Sequence, residues 1–294
     1  MKGLTWRLET LAYDILGVFL RLLGFRRASA LGGRLLRHIG PRTSKHRIVL
    51  RNLAIAFPQL NEEGRERLAR DAWDNAGRTF AEFPLTHRLT APGPQVQVEG
   101  MEHLQSVIDS GRPAIIVTGH FANWEVMACV LAQSALDVAI TYRRINNPHL
   151  DKRVRAQREA YGTRLLVPKS GAAGARHLLF ALRSGTSVAL LNDQKFNTGL
   201  SLPFFGEPAM TAPGPTRLAL QTGAPILPLS CTRDGAQFTV TIHQHWHPED
   251  VESGVKRILA FTEDRIREAP AQWFWPHRRW PKIFYQRGTA EKPN

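Results

Sequence analysis

The strongest constraint on the fold of this chain is the alternation of short apolar runs with helical segments after residue 95. Ala114–Thr118 and Ser187–Leu191 are apolar along most of their length, which is typical of strands covered on both faces. Trp124–Gln133 and Val251–Glu268 have the periodicity of helices. Strands that alternate with helices predict an α/β domain with a mostly parallel central sheet flanked by helices.

The chain before residue 95 is predicted to be helical. Helices are expected over 47–57, ending before Pro58, and from about Asn61 to Thr86, with Asn61 as a suitable N-terminal cap. The Pro- and Gly-rich stretch Ala91–Pro94 then predicts a break before the sheet begins.

These patterns divide the chain into two parts. An N-terminal segment is expected over residues 1–40, and a larger domain over 41–290. Within the larger domain, helices occupy 41–91 and the α/β core occupies 95–287.

The N-terminal segment carries much of the positive charge. Residues 1–51 contain eleven basic and two acidic residues, a net +9 of the +14 of the whole chain. Apolar residues recur there at helical spacing, and charged residues interrupt them, so no run reaches the roughly 20 apolar residues of a spanning helix. The segment is predicted to be an amphipathic helix on an anionic membrane surface, the alternative being an ordinary first helix packed on the domain. The stripe comprises Leu11, Ile15, Val18, Leu22 and Phe25.

Three further patterns give weaker indications of function. The two cysteines are far apart in sequence, which argues against a disulfide scaffold and a cysteine-ligated zinc ion. His243, His245 and His247 would share one face of a strand, which is compatible with a metal site. The aromatic and basic stretch Trp273–Trp280 is compatible with stacking on nucleic-acid bases or with a membrane interface.

The segment Ala114–Glu125 contains the most informative pair of residues. His120 follows a predicted buried strand and Glu125 lies in the first turns of the next helix, so the two side chains can meet beyond the end of the strand. A carboxylate on one imidazole nitrogen would fix the tautomer, and the other nitrogen would take a proton from a hydroxyl. The alternative is a histidine at a helix N-terminus beside a surface glutamate.

The block Gly119–Glu125 resembles the His-x4-Glu block of the bacterial lipid A biosynthesis acyltransferases, the lauroyl and myristoyl transferases. Other segments resemble further blocks of that family in the same order along nearly the whole chain: Arg51–Pro58, Tyr142–Arg158, Leu191–Gln194, Leu202–Gly206, Thr222–Pro225 and Trp273–Trp280.

The resemblance implies roles for four residues. His120 and Glu125 match the family's catalytic pair. Arg158 and Asp193 match two further positions needed for activity, which we assign to substrate binding: Arg158 to a phosphate or a pantetheine arm, with Asp193 bracing it. A helix–loop salt bridge is the alternative for these two residues.

The resemblance also implies partners and location. An acyl carrier protein, or coenzyme A, would supply the acyl chain to a hydroxyl of a lipid A precursor, with no metal or redox cofactor. The enzyme would act at the cytoplasmic face of the inner membrane, peripherally or through an N-terminal anchor. Another glycolipid or a lysophospholipid is the alternative acceptor, since Lys195 stands where the family often has an acidic residue. A non-catalytic, basic nucleic-acid-binding protein is the rival of another class.

Overall fold

A computed structural model describes residues 2–166 and 172–286. The predicted domain limits at residues 287 and 290 lie outside these residues, and the division at residue 40 stays a prediction. The strands are β1 (Val96–Glu99), β2 (Ile115–Thr118), β3 (Val138–Thr141), β4 (Arg164–Leu166), β5 (Ser187–Leu191), β6 (Leu200–Phe204), β7 (Glu207–Thr211), β8 (Ile226–Asp234) and β9 (Gln237–Ile242).

Helices occupy most of the remaining chain. They are α1 (Lys2–Leu23), α2 (Phe25–Ile39), α3 (His46–Ala56), α4 (Glu62–Glu82), α5 (Met101–Asp109), α6 (Trp124–Ala132), α7 (Pro148–Glu159), α8 (Ala172–Arg183), α9 (Gly214–Thr222) and α10 (Val251–Glu268).

Seven strands form the central sheet in the order β1-β9-β8-β2-β5-β3-β4. All neighbouring strands are parallel except β8 and β9, which are joined by a tight turn and pair antiparallel. Strand β2 lies in the middle, and Ile115, Ile116 and Val117 are almost fully buried between layers of helices. The predicted α/β architecture with a mostly parallel sheet is therefore confirmed.

Several elements differ from the sequence-based expectation. Asn61 caps α4 as predicted, since its side chain accepts a hydrogen bond from the Gly64 amide at 2.8 Å, but α4 ends at Glu82. The chain then continues as a 3-10 helix, Phe83–Arg88, because Pro84 cannot donate the next helical hydrogen bond. Helix α5 and the separate antiparallel hairpin β6–β7 were not predicted.

The N-terminal segment forms two helices that meet at Gly24. This glycine has a φ of 75°, which favours a residue without a Cβ. Helix α2 packs closely on α4, where a Cβ added to Gly32 would lie 2.4 Å from the Gly77 carbonyl oxygen. Four of the five stripe residues lie on α1 and are at least half exposed, whereas the fifth, Phe25, begins α2 and is buried.

Among residues 2–166 and 172–286, no helix combines the length and apolar character needed to span a bilayer.

The C-terminal stretch is buried, which corrects the interpretation of Trp273–Trp280 as a surface for bases or lipid. Trp273, Trp275 and Trp280 are 1%, 0% and 0% exposed, so they belong to the core. The three alternating histidines also differ from expectation. Strand β9 ends at Ile242, and they follow it instead of sharing one of its faces.

Candidate active site

His120 lies in a short loop between β2 and α6, at the carboxyl end of the central strand, as predicted. The preceding Gly119 has no room for a side chain, because an added Cβ would lie 2.7 Å from the Phe121 ring. Asn123 ends the loop and caps α6 by accepting a hydrogen bond from the Glu125 amide at 3.1 Å. This loop directs the imidazole beyond the edge of the sheet, where ligands of such folds bind.

Asp193 holds the imidazole of His120. Its Oδ1 lies 2.8 Å from His120 Nδ1, and its Oδ2 accepts a hydrogen bond from the His120 backbone amide at 2.9 Å. The indole of Trp273 donates a second hydrogen bond to Oδ2 at 2.7 Å. Since Asp193 follows β5, the neighbour of β2, the two residues meet at the carboxyl ends of adjacent parallel strands.

The charge of Asp193 is secured by these contacts. Burial alone would raise the pKa of this carboxyl, but the charge of His120 and the hydrogen bonds from His120 and Trp273 lower the pKa to about 2. An ionised carboxylate on Nδ1 favours the tautomer with its proton on Nδ1, so Nε2 is left as the proton acceptor. The pair has the arrangement of a general base with an orienting group.

The predicted contact between Glu125 and His120 is not formed among the described residues, so this contact is corrected, while a role of Glu125 in activity stays a prediction. Glu125 lies in the first turn of α6, as expected, but both of its oxygens are engaged elsewhere. Arg158 donates to them from Nε at 2.9 Å and from Nη2 at 2.5 Å, and Tyr161 donates to Oε2 at 2.5 Å. Helix α6 thus directs Glu125 toward α7, while the strand ends bring Asp193 to the imidazole.

The predicted pairing of Asp193 with Arg158 is corrected for the same reason. The Arg158 guanidinium forms a two-bond salt bridge with Glu125 and lies over the Tyr142 ring, 5.1 Å from its centre. Burial would lower the pKa of Arg158, but the charge and hydrogen bonds of Glu125 raise it. Arg158 therefore stays charged, and its main partner is a side chain of the protein. The alternative, a helix–loop salt bridge of Arg158 with Asp193, is not formed among the described residues either, because Arg158 pairs with Glu125 of α6 and Asp193 contacts His120.

Aromatic and amide side chains surround the free side of His120. The Trp124 ring meets the imidazole edge-on at 4.9 Å between centres, and the Phe274 ring lies 6.1 Å away. The Gln194 amide nitrogen lies 3.4 Å from His120 Nε2, so it is the polar group nearest to the reacting nitrogen. The sequence predicted no roles for Gln194, Trp273 and Tyr161, although Gln194 directly follows Asp193 in the segment Leu191–Gln194.

A narrow cavity of about 60 Å³ begins at Trp124 and extends between α6 and the sheet. Its polar lining includes Glu125 and Arg158. Most of the remaining lining is apolar, and it suits an alkyl chain better than a polar head group. The apolar lining is Ile116, Met127, Ala128, Leu131, Ile140, Ala189, Leu190, Leu191 and Leu229.

Two backbone amides just before α6 are hydrogen-bonded to carbonyl groups of the protein. The Phe121 amide donates to the Gly119 carbonyl at 2.8 Å, and the Ala122 amide donates to the Gln272 carbonyl at 2.7 Å. Both amides are therefore engaged within the protein.

The comparisons with known proteins agree with this geometry. Residues 5–282 match the family described as bacterial lipid A biosynthesis acyltransferase. The chain belongs to this family.

Three relatives illustrate the range of the similarity. The lipid A biosynthesis lauroyltransferase of Escherichia coli is 25% identical over 290 residues, 94% of this chain and 89% of the relative. The lipid A biosynthesis palmitoleoyltransferase of the same organism is 26% identical over 243 residues, 79% of this chain and 77% of the relative. The phosphatidylinositol mannoside acyltransferase of Mycolicibacterium smegmatis is 28% identical over 196 residues. That match covers 64% of this chain and 63% of the relative, less than two thirds of its length.

Proposed function

We propose that this protein transfers a fatty-acyl chain from a thioester to a hydroxyl group of a glycolipid, with His120 as the general base. The observation that carries the proposal is the pairing of His120 Nδ1 with the buried Asp193 carboxylate at 2.8 Å. Nε2 then has only a weak 3.4 Å contact, with the Gln194 amide nitrogen, which a substrate hydroxyl can replace. The apolar cavity is lined by Trp124, whose ring contacts the imidazole. An oriented base and a place for an alkyl chain are two requirements of acyl transfer to an alcohol.

The reaction is a direct transfer. His120 Nε2 takes the proton of the acceptor hydroxyl as its oxygen attacks the thioester carbonyl carbon, forming the new C–O bond. Asp193 stabilises the imidazolium that results. The carbonyl oxygen carries the negative charge of the intermediate, and we assign its stabilisation to the Gln194 amide, whose nitrogen lies 3.4 Å from His120 Nε2. When the C–S bond breaks, the thiolate leaves and takes the proton back from the imidazolium.

The Glu125–Arg158 pair has a different task in this proposal. Its two side chains line the cavity together with apolar residues, so they define its polar border. The salt bridge and the Tyr161 hydroxyl fix α6 against α7. We assign the acyl chain to this cavity, whose depth would select the chain length.

The acceptor and donor are proposed from the family. A lipid A precursor is the first choice of acceptor, since the relatives matched over most of both chains are lipid A biosynthesis transferases. A mannosylated lipid is the second choice, because the phosphatidylinositol mannoside acyltransferase of Mycolicibacterium smegmatis is also similar. The net charge of +14 favours an acidic acyl carrier protein as the donor.

We also propose that α1 lies on the anionic inner membrane surface. Eight apolar side chains of α1 are exposed, and an apolar face of this extent marks an interaction site. The basic residues beside it favour anionic lipid. The double substitution Ile15→Glu and Leu22→Glu is expected to reduce binding to anionic vesicles without unfolding the domain. The face consists of Leu4, Leu8, Leu11, Ile15, Leu16, Val18, Phe19 and Leu22.

Acyl transfer in vitro tests the proposed reaction. The purified protein is incubated with acyl carrier protein or coenzyme A thioesters, and with a lipid A precursor or a phosphatidylinositol mannoside in vesicles. Mass spectrometry is expected to show one added acyl ester on one acceptor, and none with His120→Ala. Circular dichroism checks that this variant is folded. A folded His120→Ala variant with most of its activity would contradict the mechanism, and no product on any acceptor would contradict the proposed function.

A further inference from the structure

The loop that carries His120 contains a backbone conformation that needs support. Ala122 has a φ of 44°, a left-handed conformation that residues with a Cβ rarely adopt. Such conformations persist only where the surrounding structure fixes them. Since Ala122 is two residues from His120, whatever fixes it also affects the position of the imidazole.

Helix α4 provides much of that support. The hydroxyl of Thr79 donates to the Ala122 carbonyl at 2.7 Å, a shorter contact than its 3.0 Å contact with the Asn75 carbonyl in its own helix. One helical turn further on, the Glu82 carboxylate accepts a hydrogen bond at 2.8 Å from the side chain of Asn123. Two successive loop residues are therefore held by two residues of the same helix.

A buried salt bridge joins these two supports. Arg233 of β8 donates to the two Glu82 oxygens at 2.5 and 2.8 Å, and it donates to the Thr79 hydroxyl at 3.0 Å. The Glu82 and Arg233 side chains are 0% and 5% exposed. Ser29 of α2 adds a hydrogen bond to Glu82 at 2.6 Å.

A gain in stability does not by itself explain why Glu82 and Arg233 form a buried salt bridge. Removing two opposite charges from water costs about as much as their attraction returns, and apolar replacements are often equally stable. The geometry suggests another reason, because the pair connects to the loop beside His120 through Thr79 and Asn123. Side chains that hydrogen-bond one another in a buried network favour one arrangement, even though Arg233 Nε has no hydrogen-bond partner among the described residues.

We propose that Glu82, Arg233 and Thr79 are positioning residues for His120. Through Ala122 and Asn123 they hold the loop at the distance that lets the His120 amide and imidazole both contact Asp193. They do not touch the reacting atoms. The inference rests on the proposed function in one respect, namely that His120 is the base.

Thr79→Val is the decisive variant, because valine has nearly the same shape but cannot donate to the Ala122 carbonyl. Thr79→Ser restores the hydroxyl. We expect the valine variant to lower kcat by about tenfold to a hundredfold, the range for a small misplacement of a catalytic group. The KM for the acyl donor should be unchanged, because the cavity is intact, and the serine variant should recover most of kcat.

Thr262→Val is the matched control. Thr262 is also a buried helical threonine, and its hydroxyl donates to the Ile258 carbonyl four residues earlier at 2.8 Å, but it has no contact with the loop. Its kcat is expected to equal that of the wild type. Melting temperatures are measured for all variants, and kcat is measured well below them and normalised to folded protein.

Glu82→Gln is expected to lower both kcat and the melting temperature, since it leaves the Arg233 charge buried without a counter-ion. The decisive measurement is therefore the kcat of the Thr79 variants. A wild-type kcat in Thr79→Val, or a loss no larger than in Thr262→Val, would overturn the inference. If His120→Ala is inactive while Thr79→Val is normal, only this inference fails. If His120→Ala stays active, the proposed function fails first.

Discussion

The two buried carboxylates near the His120 loop, Asp193 and Glu125, have different partners, so their charges have different effects. Asp193 is held by neutral donors and by an imidazole, and among the described residues no lysine or arginine forms a salt bridge with it, although the buried Arg279 acts on it at longer range. Glu125 is held by Arg158, which is charged at every physiological pH. A carboxylate already paired with a cation has little attraction left for a second one. We therefore assign the stabilisation of the imidazolium to Asp193 and the anchoring of α6 to Glu125.

Asp193→Asn should have the largest effect on this comparison. The single asparagine oxygen can still accept from the His120 amide and the Trp273 indole, so the fold should be kept. The NH2 group then faces His120 Nδ1 and favours the tautomer that carries its proton on Nε2. That tautomer cannot take the hydroxyl proton, and we expect kcat to fall by about 10²–10⁴-fold. A steady-state assay with circular dichroism tests this, and a folded variant with near-normal kcat would remove Asp193 from the mechanism.

Glu125→Gln should affect stability more than chemistry. Glutamine leaves the Arg158 charge without its counter-ion, and breaking a buried pair in this way costs about 3 kcal/mol. We expect a lower free energy of unfolding in urea and a smaller loss of kcat per folded molecule than in Asp193→Asn.

The double variant Glu125→Gln/Arg158→Met is the control, because removing both charges should recover much of the stability. If Glu125→Gln instead lowers kcat as far as His120→Ala does, without loss of stability, Glu125 has a catalytic role that its contacts do not explain.

The architecture could be predicted from the sequence because the spacing of apolar residues indicates which parts of the chain are buried. The apolar run Ala114–Thr118 could only be a central strand, and the position of His120 after it followed. The partner of His120 could not be predicted from spacing, since β2 and β5 become neighbours only through the sheet order. Glu125 is near in sequence but turned toward α7, whereas Asp193 is distant in sequence and adjacent in space.

Burial of the C-terminal tryptophans was missed for a related reason. Trp273 and Trp280 occur beside arginines, and their composition alone is equally typical of a surface. Their positions depend on hydrogen bonds from the indoles to Asp193 at 2.7 Å and to the Phe204 carbonyl at 3.1 Å, which join distant parts of the chain. Paired Gly32 and Gly77 likewise become meaningful only once α2 meets α4.

Ala128→Leu should sharpen the assignment of the acyl chain to the Glu125 side of the site. Ala128 lines the cavity, and a leucine there would occupy space otherwise open to the alkyl chain. With thioesters of increasing chain length, we expect the preferred length to shift to shorter chains while kcat for short donors changes little. Ala132→Leu, on the same helix and outside the cavity lining, is the control. An unchanged chain-length profile would place the acyl chain elsewhere.

The smallest expected effect is on the stability of the fold in acid, to which His277 and its neighbour Asp193 contribute in different pH ranges. Burial lowers the pKa of His277 from 6.5 to about 4, and its Nε2 accepts a hydrogen bond from the Lys195 amide at 3.0 Å. Because the unfolded chain binds this proton more readily, the folded state loses stability as the pH falls from about 6.5 toward 4. The pKa of Asp193 is lowered from 3.8 to about 2, so its contribution is lost only below that window.

His277→Gln should therefore weaken the acid dependence without touching the dyad. A glutamine oxygen can still accept from the Lys195 amide, and it does not titrate. We expect urea unfolding to show a smaller loss of free energy between pH 7 and pH 5 in this variant than in the wild type. His243 gives a remote comparison, because burial lowers its pKa to about 4 as well, while its partner is Ser230 at 2.8 Å. His243→Gln should reduce the same loss of stability and leave kcat unchanged at pH 7. An acid dependence of stability identical to that of the wild type in both variants would show that neither histidine is held neutral by burial.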